Sequence, residues 1–244
     1  MRIDLYLAQN GYASSRQSAK RLIEEGRVFA GKKLIKKPSE NYDESSEIKI
    51  IESAGSEFVS RGGYKLEYAL VHFKIDVSGL VAADIGASTG GFTDCLLQRG
   101  AKRVYALDCG KNQLHKKLLC DSRVISIEKF NAKNLSCDSL PEKADIAVMD
   151  LSFISQTKVL QNIKNILTPD GKLVSLIKPQ FEAGKENIGK NGIVKSEKAR
   201  KSAVGNVLAC AAECGFESFG VVCSPITGGD GNIEYLAAFS LKKL

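Results

Sequence analysis

Apolar and polar positions divide the chain into two patterns. In residues 1–52 the apolar positions of Met1-Arg-Ile-Asp-Leu-Tyr-Leu7 recur at helical spacing. Ser14-Ser15 stand as caps before a second helix, Arg16 to Glu25, which Gly26 ends. Arg27 to Ile35 reads as strand, turn and strand with Gly31 in the turn, and Ile48–Ile51 as a closing strand. Glu52-Ser-Ala-Gly-Ser-Glu57 has the small, polar composition of a flexible linker. From residue 80 onward short apolar runs alternate with amphipathic stretches. The runs Leu80–Ile85, Arg103–Leu107, Val124–Ile127, Ala144–Met149, Leu173–Ile177, Phe216–Cys223 and Glu234–Leu241 read as strands. Such alternation predicts a doubly wound, Rossmann-like α/β sheet of seven strands, preceded by a small α+β domain. The expected division is a domain at 1–52, a linker at 53–60 and a larger domain at 61–244.

Composition narrows the functional classes. No apolar stretch reaches the ~18–20 uncharged residues that span a bilayer. Arg2 and Asp4 break any signal peptide, so the expected location is cytoplasmic, away from membranes. The seven cysteines contain no C-x-x-C pair and are accompanied by only two histidines, so no metal site is expected from the usual ligand spacings. Scattered thiols in odd number fit a reducing compartment. The net charge of +7 points to a polyanionic partner. Its distribution says more: Arg16, Lys20, Arg21, Arg27, Lys32, Lys33, Lys36 and Lys37 are opposed in that segment only by Glu24 and Glu25. So dense a patch suits a phosphate backbone, or else forms a solvated helix face.

Charges at the ends of the apolar runs carry the candidate chemistry. Lys178 closes Lys172-Leu-Val-Ser-Leu-Ile-Lys178, which otherwise reads as a buried strand of a parallel sheet, and Pro179 follows at once. Asp150 closes Ala144-Asp-Ile-Ala-Val-Met-Asp150, Glu234 opens Glu234-Tyr-Leu-Ala-Ala-Phe-Ser240, and Lys65 stands at the start of an amphipathic helix. Strand ends line the ligand crevice of open α/β sheets, so these four are candidates for catalysis, or else are simply exposed. The first strand runs into Asp84-Ile-Gly86-Ala87-Ser88-Thr89-Gly90-Gly91-Phe92-Thr93. Its glycines would let the backbone approach a ligand or make a tight corner. It matches neither the G-x-G-x-x-G fingerprint nor a Walker loop. Asp108 ends the second strand about twenty residues on, where a carboxylate takes both hydroxyls of a ribose. Asp84 is placed to face a cationic amino-acid group. A ligand with a ribose, a positive amine and no phosphate clamp is S-adenosylmethionine, bordered by Asp84, Gly86–Phe92, Asp108 and Asp150. Asn131, after the third strand, either meets the adenine edge or caps a helix.

Residues just beyond the fourth strand narrow the choice of methyl acceptor. Asp150-Leu-Ser-Phe153 lacks the Asp/Asn-Pro-Pro-aromatic tetrad that holds an exocyclic nitrogen, and no Pro-Cys or Thr-Cys dipeptide ends a later strand. Arg2-Ile-Asp4-Leu-Tyr-Leu7, Ser15-Arg16, Ala19, Ile23, Gly26 and Val28 resemble the alpha-L RNA-binding domain, which grips folded RNA by shape and phosphates. The set Lys65, Asp150, Lys178 and Glu234 resembles the catalytic tetrad of FtsJ-type ribose 2′-O-methyltransferases. With Ser60-Arg-Gly-Gly-Tyr-Lys65-Leu, the 84–93 loop, Lys178-Pro-Gln-Phe-Glu-Ala-Gly184 and Gly231-Asn-Ile-Glu234-Tyr-Leu, the whole chain is similar to the TlyA family, whose members carry an old haemolysin name. FtsJ relatives usually have a proline in the glycine loop, where this chain has Ser88-Thr89.

The resemblance implies methylation of a cytidine ribose in ribosomal RNA on a ribosomal subunit. The large subunit is favoured, because the chain has little extension at either end, with the small subunit also possible. Lys178 is the expected general base. An ordinary lysine has a pKa of about 10.4, which burial near Lys65 and a sulfonium would lower, with Asp150 and Glu234 opposing the shift and orienting both ammonium groups. Lys65 is expected to stabilise the developing alkoxide. Arg2, Arg16, Lys20, Arg21, Arg27, Lys32, Lys33, Arg61, Lys185 and Lys190 are the expected RNA contacts, the last two on a loop at 182–195 that is either an RNA-contacting flap or an ordinary connection. A monomer or weak dimer is expected. Two rival readings are a non-enzymatic RNA-binding or assembly factor and a membrane-active haemolysin.

Overall fold

The computed structural model describes residues 1–13, 15–24, 28–31, 33–35, 37–42, 47–50, 58–228 and 231–242, without the side chains of Arg21 and Glu24. Ser14, Gly26, Arg27, Lys32 and linker residues 53–57 lie outside the described residues. The chain forms two compact units, Met1–Glu57 and Phe58–Leu244.

In the first unit two helices, α1 (Ile3–Gln9) and α2 (Arg16–Glu24), accompany a small antiparallel sheet. Its strands β1 (Val28–Ala30), β2 (Lys33–Leu34) and β3 (Ile48–Ile50) lie in the order β2-β1-β3. Ser15 caps α2, its Oγ accepting from the Ser18 amide at 3.1 Å. Ile3, Leu7, Ala19, Ile23 and Val28 fill the core, as their helical and strand spacing predicts. One polar residue is buried with them. Asp4 is fully buried, and its Oδ2 lies 3.0 Å from both Arg2 Nη2 and Arg16 Nε. These two guanidinium groups hold the Asp4 carboxyl at about 2.

The second unit begins with α3 (Gly62–His72) and then alternates strand and helix: β4 (Val81–Ile85), α4 (Gly91–Gln98), β5 (Arg103–Leu107), α5 (Lys116–Leu119), β6 (Val124–Ile127), β7 (Ala144–Met149), α6 (Leu160–Ile163), β8 (Leu167–Ile177), α7 (Pro179–Glu182), α8 (Glu197–Glu213), β9 (Phe216–Cys223) and β10 (Tyr235–Leu241). The seven-stranded sheet has the order β6-β5-β4-β7-β8-β10-β9, parallel except for the antiparallel β10 against both neighbours. Strand order reverses between β4 and β7, and ligand crevices form at such a reversal. Alternation along each strand sorts side chains into two layers. Ala83, Tyr105, Ala147 and Leu173 face one layer with Ile163 of α6 and Val207 of α8. Ala82, Val104, Val148 and Val174 face the other with Leu66 of α3 and Leu96 of α4.

Residues 58–60, expected in the linker, are built into this second unit. Phe58 is buried so closely under α3 that a Cβ on Gly63 would meet its ring at 2.3 Å, and the Val59 amide donates to Asp94 Oδ2 at 2.8 Å. Strand β8 begins six residues before the expected Leu173, running through Pro169 and Gly171.

Candidate active site

Sheet register brings three of the four strand-end charges together. Tyr235 pairs with Ile177 across β10 and β8, so Glu234 and Lys178 leave the sheet side by side. Met149 pairs with Ser175 across β7 and β8, which brings Asp150 to the same edge. Lys178 must stay extended because a proline follows it, and Pro179 then opens α7 at the position where a missing N–H costs nothing. The charges form two ion pairs. Lys178 Nζ lies 2.6 Å from Asp150 Oδ1 and donates to Ser152 Oγ at 2.9 Å. Lys65 Nζ, projecting from the first turn of α3, lies 2.5 Å from Glu234 Oε2, and both side chains are almost wholly buried. A buried ammonium–carboxylate pair is held by mutual attraction against a large desolvation cost, so removing either partner strands the other.

The glycine loop lies directly beside Asp150. The Asp150 amide donates to Ile85 O at 3.0 Å, and a Cβ on Gly86 would meet Asp150 O at 2.5 Å. Gly86 also has φ +86°, where a side chain is strained. Gly90 and Gly91, expected to admit a ligand, instead let protein segments converge: Cβ atoms there would meet Leu118 Cδ1 and Ser60 Oγ, each at 2.2 Å. Ala87 and Phe92 are buried core residues, and Thr89 O accepts from the His115 amide at 3.2 Å. Ser88 is exposed at φ 48°, a left-handed conformation secured by its amide donating to Asp108 Oδ2 at 2.8 Å. Asp108 Oδ1 accepts from the Gly110 amide at 2.7 Å. A carboxylate has about four lone-pair sites, so Asp108 keeps acceptor capacity for diol hydroxyls.

Asp84 is the electrostatic anomaly. It is fully buried, Thr93 Oγ1 donates to its Oδ2 at 2.6 Å, and among the described residues its Oδ1 meets no hydrogen-bond partner. Burial, reinforced by the nearby Asp150 and Asp108 charges, pushes its carboxyl up to about 7. Asn131 realises the capping alternative: its Oδ1 accepts from the Lys133 amide at 3.0 Å at the head of a short 3₁₀ turn.

Several participants were invisible in the sequence pattern. Phe153 is 81% exposed, adopts φ 64°, and sits 5.3 Å, centroid to centroid, from Phe181. Bulky residues rarely adopt positive φ. Glu182, in α7, accepts from Ser155 Oγ at 2.6 Å and from the Gln156 amide at 2.8 Å, and burial raises its pKa against those two bonds. Gln156, 2% exposed, accepts from Ser175 Oγ at 2.6 Å and donates to Leu176 O. Asn232, also buried, holds the end of the 182–195 loop by accepting from the Val194 amide at 3.0 Å and donating to Gly192 O at 2.9 Å. That end of the loop is therefore anchored, while Lys185 and Lys190 are exposed. Partners lie 19 to 40 residues from one another, so no local motif announces them.

The expected RNA contacts fall into two groups. Lys20, Lys185 and Lys190 expose their side chains. Arg2 and Arg16 share Asp4, Lys33 pairs with Glu40 at 2.9 Å, and Arg61 donates to Thr227 O at 2.9 Å. The cationic field of the first unit is thus partly neutralised. Among the described residues no cluster of three His, Cys, Asp or Glu side chains could hold a metal, and no helix is long and apolar enough to cross a membrane.

Comparison with known proteins separates along the same two units. A profile described as FtsJ-like methyltransferase matches residues 58–241, and an S4 domain profile matches residues 1–48. Hemolysin A of Brachyspira hyodysenteriae is 43% identical over 98% of this chain and 99% of its own length. The 16S/23S rRNA (cytidine-2′-O)-methyltransferase TlyA of Mycobacterium tuberculosis is 40% identical over 96% of this chain and 87% of its own. A solved protein from Streptococcus thermophilus, described as a hemolysin, shares 42% identity and a TM-score of 0.79, covering 100% of this chain and 89% of that one.

Proposed function

The chain belongs to the FtsJ-like methyltransferase family, and we propose that it methylates the ribose 2′-hydroxyl of a cytidine in ribosomal RNA, with S-adenosylmethionine as methyl donor. The observation that carries this reading is the Lys178–Asp150 pair, whose Asp150 closes against the glycine loop, with the Lys65–Glu234 pair set next to Lys178 by the β10–β8 register.

The residues present fit that donor. Asp84 offers a buried, unpaired carboxylate oxygen to an ammonium group, and Asp108 offers acceptors to a ribose diol. When bound, the cofactor supplies an electrophilic methyl group on a sulfonium. Lys178 acts as general base in its amine form: the ammonium that pairs with Asp150 first gives up one proton to solvent, and the freed Nζ lone pair then takes the proton of the 2′-hydroxyl, with Asp150 and Ser152 fixing where that nitrogen points. Lys65, held by Glu234, offers its ammonium to the oxygen as negative charge grows there. Phe153 presents a free aromatic face to the base of an unstacked nucleotide, the usual manner of reading single-stranded RNA. Lys20, Lys185 and Lys190 hold phosphates.

The test is a map of 2′-O-methylcytidine in 16S and 23S rRNA from cells with and without the protein. It is paired with transfer of radiolabelled methyl to ribosomal subunits by purified protein. Cytidine methylation that vanishes with the protein is the expected result, and the large-subunit preference is read from the share of sites in 23S rRNA. An unchanged map and unlabelled RNA overturn the proposal.

A further inference from the structure

We propose that Glu182 is a positioning residue for methyl transfer: its buried carboxylate staples the loop carrying Asp150, Ser152 and Phe153 to the turn carrying Lys178 and Phe181. The inference rests on the reading of Lys178 as the base. Each half of the machinery sits on a short, irregular segment. Residues 150–155 leave β7 without helix or strand geometry, and α7 is a single turn of four residues. Neither segment is rigid by its own hydrogen bonds, yet the two must agree to within a fraction of an ångström for Nζ of Lys178 to face its target.

Glu182 supplies that agreement. One carboxylate oxygen accepts from Ser155 Oγ at 2.6 Å and the other from the Gln156 amide at 2.8 Å, so both bonds run from the 150–157 segment to α7. An ionised carboxylate is acceptor-only and both of its partners are donors, which matches the site without leaving a group unpaired. Gln156 repeats the staple one step deeper, gripping Ser175 and Leu176 of β8, the strand that delivers Lys178. Phe153 lies between the staple and the catalytic pair. A left-handed backbone at an aromatic residue persists only where its surroundings over-determine it, and Glu182 fastens the chain just two residues beyond it. Loss of Glu182 frees the loop beyond Asp150, whose own amide stays bonded to Ile85 O beside the glycine loop, so the defect falls on turnover more than on cofactor binding.

The experiment is steady-state kinetics of the full-length protein on ribosomal subunits with S-adenosylmethionine, comparing wild type, Glu182→Ala, Glu182→Gln and Ser155→Ala. Glu182→Ala is expected to lower kcat about 100-fold, the scale set by a small misplacement, with KM for S-adenosylmethionine within about twofold. Glu182→Gln keeps an acceptor for the Gln156 amide and a partner for the Ser155 hydroxyl, so it recovers kcat to within about threefold of wild type. Ser155→Ala removes one of the two bonds together with the Ser155 cap on Thr157, and lowers kcat about five- to tenfold, which tests the staple even where Glu182→Ala fails to fold. Three results overturn the inference: wild-type kcat in both alanine variants, a KM for S-adenosylmethionine that rises in step with the fall in kcat, or Glu182→Gln as defective as Glu182→Ala. A wild-type protein that labels no RNA is a different outcome and removes the proposed function itself.

Discussion

Asp4 in the first unit and Asp84 in the second are both fully buried, and the two are opposites. Asp4 sits between two guanidinium groups and is held at about 2, while Asp84 is bonded, among the described residues, only to Thr93, through its hydroxyl and backbone, near two further carboxylates, and burial pushes it up to about 7. Neither exposes surface, but Asp84 lies deep in its unit and desolvation leads its shift, whereas Asp4 lies under a thin cover and its hydrogen bond to Arg2 leads the opposite one. In the first unit the chain supplies the counter-charge, and Asp4 serves as an internal strut that fixes Arg2 and Arg16 on the surface. In the second unit the chain withholds it, although it places lysines against Asp150 and Glu234 close by. On the proposed function, the unpaired Asp84 oxygen is the position kept for the donor's ammonium group, while Asp4, already paired, holds structure.

The strongest way to sharpen this contrast is to separate binding from chemistry inside the second unit. Lys178→Ala is expected to cut methyl transfer by about 10²–10⁴-fold while calorimetry still registers cofactor binding. Undiminished transfer removes Lys178 from the reaction. Asp84→Asn should do the reverse, weakening S-adenosylmethionine binding about 30-fold or more by deleting the charge that faces the ammonium. The same variant should be more stable than wild type at pH 8 without ligand. The step from 3.8 to about 7 corresponds to at most about 4 kcal/mol of stability that ionisation removes. A cofactor affinity untouched by Asp84→Asn breaks the comparison at its centre.

Opposite shifts also predict opposite pH dependences. Stability from Asp84 is full below its unfolded value of 3.8 and is lost as pH rises through about 7. Stability from Asp4 is present above 3.8 and is lost as pH falls through about 2. Unfolding of the full chain across pH should therefore show an acid limb abolished by Asp4→Asn and a neutral limb abolished by Asp84→Asn. Cofactor binding near pH 6 should release up to about one proton, seen as a buffer-dependent heat, since an ammonium beside Asp84 restores its ionisation. The smallest effect is expected at the surface. Lys20→Ala should weaken RNA binding a few-fold and reduce the salt dependence by about one phosphate contact.

Much of this was legible in the chain. Apolar runs ending in Asp150 and Lys178 marked β7 and β8, and strand alternation marked the sheet, because burial leaves a periodic signature. Ser15 was legible as a cap because capping is local. What stayed hidden depends on contacts between distant segments. Glu182 and Gln156 look like ordinary polar residues until α7 and the 150–157 segment are folded together. Gly90 and Gly91 looked like ligand-facing glycines, yet the space they save belongs to Leu118 and Ser60. The basic run from Arg16 onward read as uniformly cationic, because the pairing of Lys33 with Glu40 and of Arg16 with Asp4 cannot be counted from composition.

Asp150 joins the glycine loop to the lysine: its carbonyl oxygen closes against Gly86, and its carboxylate meets Lys178. Enlarging residue 86, for instance to reshape the pocket for a synthetic donor carrying a longer alkyl chain, drives against that carbonyl and turns the carboxylate with it. With Lys178 as the proposed base, donor engineering is thus inseparable from retuning that base. Designs that move the two walls in concert, by altering residues 86 and 151 together, are the ones to build first.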